Sequence, residues 1–63
     1  MVIKEIADNK KGYKVKLSQH DHLYVVTYSD RNGDYPSIPV TDLSLALDLF
    51  SKLLDRNVRI NYN

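Results

Sequence analysis

The chain has no cysteine, two glycines, two prolines and no long apolar run, and each shortage removes a class of chemistry. Without cysteine there is no disulfide, no thiolate metal site and no cysteine nucleophile. Gly12 and Gly33 stand alone, so no glycine-rich loop cradles a phosphate. No stretch is long enough to cross a bilayer. The opening Met1-Val2-Ile3-Lys4-Glu5-Ile6 has neither the basic segment nor the unbroken apolar run of a signal peptide. Charge of one sign is also scarce: nine Lys and Arg against eight Asp and Glu leave +1. That balance supplies no strong field for nucleic acid or an anionic membrane. The expectation is a cytoplasmic protein, in a cell or an infected host cell.

What remains is an ordinary folding composition, 43% hydrophobic over 63 residues. One domain spanning 1–63 is expected, near the lower size limit for folding without staples. Residues 2–7 are apolar-rich and read as a first strand, ended by the polar turn Asp8-Asn9-Lys10-Lys11-Gly12. Residues 13–17 alternate strictly, with Tyr13, Val15 and Leu17 on one face and Lys14 and Lys16 on the other. Ser18-Gln19-His20-Asp21-His22 reads as a hairpin connection, and 23–28 as a β-branched and aromatic strand. Pairing Tyr13 with Tyr28, Val15 with Val26 and Leu17 with Tyr24 gathers the apolar side chains. It also sets Lys14 beside Thr27 and Lys16 beside Val25 on the far face.

The next turn, residues 29–34, contains Asn32-Gly33, the pair best able to take positive φ. Residues 35–40 are extended around two prolines, with Ile38 and Val40 as a short edge strand. Asp42, or Thr41 beside it, caps a helix over about 42–56, and Asn57 is its expected stop. Val58, Ile60 and Tyr62 alternate as a last strand that would pair with the first. The fold class that follows is α+β: a single, mostly antiparallel sheet of three to five strands against one helix. Its element order is β-β-β-(short β)-α-β.

On the helix, Leu43, Ala46, Leu47, Phe50 and Leu54 form a stripe suited to the core. The expected core joins them to Tyr13, Val15, Leu17, Tyr24, Val26 and Tyr28, with Ile3, Val58 and Ile60 contributing. Leu45, Leu49 and Leu53 make a second stripe on the flank, widening the apolar arc to roughly 200° against the ~100° usual for such a helix. This flank is the candidate protein-binding surface, either for a second copy or for another protein.

Other constellations are thinner. His20-Asp21-His22 places two imidazoles near a carboxylate, but a third strong ligand is not evident and no metal site is assigned. No serine lies in a nucleophile-elbow pattern and no carboxylates pair for acid–base work, so neither an enzyme nor a cofactor or small-molecule substrate is expected. Lys10, Lys11, Lys14, Lys16 and Arg31 form the candidate nucleic-acid surface, on a sheet rich in tyrosine. The span 12–54, a tyrosine-rich sheet, an Asp30–Gly33 turn and a helix, resembles the small arm-type DNA-binding domains that precede phage integrases. That resemblance implies a sheet docked in the major groove. It is a likeness of pattern, and no residue is carried across from it.

Two functional expectations follow. The first is a small non-catalytic interaction protein binding another protein or itself, similar in size and makeup to phage and mobile-element accessory or inhibitor proteins. The alternative is a small DNA- or RNA-binding domain using the basic sheet face.

Overall fold

The computed structural model describes residues 1–62, with side chains through residue 55. It is an α+β fold: a four-stranded antiparallel sheet followed by one helix packed on it. The strands are β1 (Val2–Asp8), β2 (Tyr13–His20), β3 (Leu23–Asp30) and β4 (Gly33–Pro36), lying side by side in chain order, and the helix is α1 (Leu43–Tyr62).

Side-chain chemistry sets the turns. Asp8 accepts hydrogen bonds on Oδ1 from the Lys10 and Lys11 amides, both at 3.0 Å, while its carbonyl accepts from Gly12 at 2.8 Å. Gly12 closes this turn at φ 76°, a conformation that costs glycine little. Asp30 repeats the device toward Asn32 at 2.8 Å. There the positive φ falls on Gly33, at 139°, and not on Asn32.

The β2–β3 pairing is displaced by two residues from the sequence expectation. Val15 opposes Tyr28, Leu17 opposes Val26 and Gln19 opposes Tyr24, with Lys14 beside Ser29 and Lys16 beside Thr27. The cause is the connection. The strands run to His20 and resume at Leu23, so the turn is Asp21-His22 alone, with Asp21 at φ 57°. Aspartate tolerates that backbone better than most residues. A two-residue shift leaves every side chain on its expected face.

The fourth strand also lies earlier than expected. It ends at Pro36, and Val40 rejoins the sheet separately, exchanging bonds of 2.7 and 2.9 Å with Tyr24. Between them, Ser37 donates its amide to the Val26 carbonyl at 2.8 Å and accepts from the Val26 amide on Oγ at 2.9 Å. A hydroxyl thus replaces a ladder carbonyl where the chain bulges, and Ile38 projects into solvent.

Asp42 caps the helix: Oδ1 accepts from the Ser44 amide at 2.8 Å and the carbonyl from Ala46 at 3.1 Å. The expected last strand is not formed. The helix runs through Asn57 to Tyr62, because no glycine or proline stands there to reverse the chain and each further residue adds a helical bond. Pairing of that segment with β1 is therefore absent, and the Val58 and Ile60 side chains lie outside the described residues. The core is Tyr13, Val15, Leu17, Val26, Ala46 and Phe50, with Tyr24, Tyr28, Val40, Leu49, Leu53 and Leu54 packed on it.

Candidate interaction surfaces

Among the described residues, the helix lies across β2 and β3 and its backbone does not come close to β1 or β4. This placement decides which leucines are covered. Ala46 and Phe50 are buried, and Leu49, Leu53 and Leu54 are partly buried against the core. Leu43 and Leu47, expected in the core, are 40% and 38% exposed. The expected binding flank is split: Leu49 and Leu53 turn toward the sheet, while Leu45 stays 59% exposed. Both stripes obey helical spacing and their leucines flank the Ala46–Phe50 line on either side, so periodicity does not say which edge of the arc meets the sheet.

One contact fixes the sense of rotation. Lys4 of β1 holds its ammonium 5.2 Å above the centre of the Phe50 ring, so Phe50 leans toward β1. At 100° per residue, Phe50 lies about 40° from Ala46, and Leu43, Leu54 and Leu47 lie about 60°, 80° and 100° away in the same sense. Leu49 and Leu45 lie about 60° and 100° the other way. Leu43 and Leu47 therefore occupy the flank on the β1 side, and Leu45 the flank on the β4 side.

β1 itself is uncovered. Val2, Ile3 and Ile6 are all exposed, Ile6 by 40%, and no strand among the described residues pairs with the outer edge of β1. Gln19 exchanges both backbone bonds with Met1, at 2.7 and 2.8 Å. Odd-numbered residues of β2 therefore point their peptide groups at β1, where they oppose Lys4, Ile6 and Asp8. By alternation, the amides and carbonyls of Glu5 and Ala7 face outward. The other edge differs. β4 has four residues, ends in Pro36, and is followed by Pro39, and proline offers no ladder donor. Among the described residues, the chain blunts one edge of its sheet and leaves the seven-residue strand β1 unpaired at the other.

Sequence reasoning missed β1 as a surface because an apolar strand with an expected neighbour reads as interior. The available signal was the asymmetry of the two outer segments, prolines in one and none in the other.

The lysines assemble differently. Lys14 and Lys16 share the sheet face away from the helix, where Lys14 pairs with Glu5 at 3.4 Å. Lys10 and Lys11 sit in the β1–β2 turn, and Arg31 in the β3–β4 turn packs over Gly12 at the same end of the sheet. A shallow open depression there is lined by Asp8, Gly12, Lys14, Ser29, Asp30 and Arg31. Two cations and two carboxylates cancel within it. Tyr13 stacks on Tyr28 and Tyr28 on Tyr35, with ring centres 6.4 and 6.0 Å apart. These rings occupy the helix side, so among the described residues no tyrosine platform lies on the lysine face. Desolvation, and then the neighbouring Asp30 carboxylate, raise the Tyr28 phenol above its usual 10.0.

His20 ends β2 and His22 takes the second turn position. Among the described residues, no three histidine or carboxylate side chains gather as a metal site, and no helix is long and apolar enough to cross a membrane. Comparison with protein-family models, curated proteins and solved structures finds no match to the chain.

Proposed function

We propose that this chain is a non-catalytic interaction protein that binds a protein surface through the β1 side of its sheet. The observation that carries this reading is the offset of the helix over β2 and β3. It leaves an open strand edge beside exposed Ile6, Leu43 and Leu47. A strand edge supplies directional backbone bonds and the adjoining apolar side chains supply burial, the combination used when a partner adds a strand. The role is of the accessory or inhibitor kind, by analogy of size and makeup with phage and mobile-element proteins.

The rival reading is nucleic-acid binding by Lys10, Lys11, Lys14, Lys16 and Arg31. Its support is weakened by Glu5, Asp8 and Asp30, which lie among those cations.

A photocrosslinking residue at position 6, compared with the same residue at position 27 on the opposite sheet face, separates the two in the source cell. The proposal expects protein adducts from position 6 that persist as salt rises, and few from position 27. Adducts to nucleic acid, lost steeply with added salt, would instead establish the basic face as the binding surface.

A further inference from the structure

We infer that the partner at the β1 edge is a second copy of this chain, joined by antiparallel β1–β1 pairing about a two-fold axis at Ile6. This rests on the interaction reading above and names its occupant. Self-pairing across a two-fold axis sets one residue opposite itself, and the regular stretch of β1 allows five choices. Axes at Lys4, Glu5 or Asp8 bring identical charges face to face, which is unfavourable between paired strands. An axis at Ala7 sets Ile6 against an aspartate. Only the Ile6 axis sets isoleucine against isoleucine and, two positions out, Lys4 against the partner's Asp8 on both sides.

That register uses peptide groups that pair with no strand among the described residues. Glu5 and Ala7 oppose each other across the axis, and theirs are the outward peptide groups of β1, so each can exchange both backbone bonds. Asp8 commits Oδ1 to the Lys10 and Lys11 amides, which leaves Oδ2 for a cross-strand lysine. Lys4 is an inward-pointing charge at a sheet edge, a device that deters indiscriminate pairing. Here it selects one register. The irregularity between Val2 and Lys4 ends the new ladder at Lys4.

The product is a continuous sheet of two four-stranded halves with both helices on one face. With strands ~4.8 Å apart, the helices stand about 19 Å from each other, too far to pack together. Ile6 and its counterpart line the floor between them. An interface of one strand pair falls at the small, weakly associating end of protein–protein contacts.

Sedimentation equilibrium from ~1 µM to ~1 mM tests this on the whole chain, which is short enough to synthesise. The wild type is expected to rise from its 7.3 kDa chain mass toward twice that value. N-methylation of the Ala7 amide, which pairs with no strand among the described residues, should weaken the dimer at least about tenfold. Lys4→Glu should do the same, with circular dichroism confirming that each variant is folded. A wild type that stays at the chain mass, or a dimer indifferent to both changes, overturns self-pairing. Should position 6 still crosslink a foreign protein in that case, the interaction reading stands and only the identity of the occupant fails.

Discussion

Phe50 is 1% exposed and the largest of the fully buried side chains, and the Lys4 ammonium stands over its ring. Truncating a buried phenylalanine costs about 3–5 kcal/mol, and a 63-residue domain sits at the low end of the usual ~5–15 kcal/mol stability range. Phe50→Ala is therefore expected to unfold the chain or nearly so. An unchanged thermal midpoint would remove the helix from its place on the sheet.

Tyr28 gives a pH signature. Its folded-state value lies above the ordinary 10.0, so above pH 10 the unfolded chain gives up this proton more readily than the folded one. The stabilisation is complete below pH 10 and is lost as pH rises through the folded value. Urea midpoints followed across that window should fall less in Tyr28→Phe than in the wild type.

The elements were readable in the sequence to different degrees, for physical reasons. Strict alternation at 13–17 located β2 and its buried face, and the tyrosines and lysines segregate as the pattern requires. The exact pairing was not readable, because positions two apart satisfy the same facial chemistry and the tightness of the Asp21-His22 turn decides between them. The start of the helix was legible through Asp42. Losing that cap should cost about 0.5–2 kcal/mol, seen as a lower urea midpoint in Asp42→Ala with the sheet pairing intact. The end was not legible, because the alternation at 58–62 imitates a strand while the backbone continues as helix. Nor did the helix declare which flank it buries, since the leucines on either side of the Ala46–Phe50 line are chemically alike. Only the position of the helix above β2 and β3 separates Leu49 and Leu53 from Leu43 and Leu47.

Taken whole, the molecule is lopsided. Among the described residues, one helix covers the middle of four strands, one outer strand is guarded by prolines, and the other presents apolar side chains and unpaired peptide groups. Had the final segment returned as a strand, that edge would have been closed within the chain and no interaction surface would follow from it. Amide hydrogen exchange in dilute solution distinguishes the two arrangements residue by residue. Ile6 and Lys4, bonded to β2, should be protected, while Glu5 and Ala7 should exchange nearly as fast as in an unstructured peptide. Equal protection of all four amides at every dilution would mean that the chain covers its own edge, and the account would be contradicted.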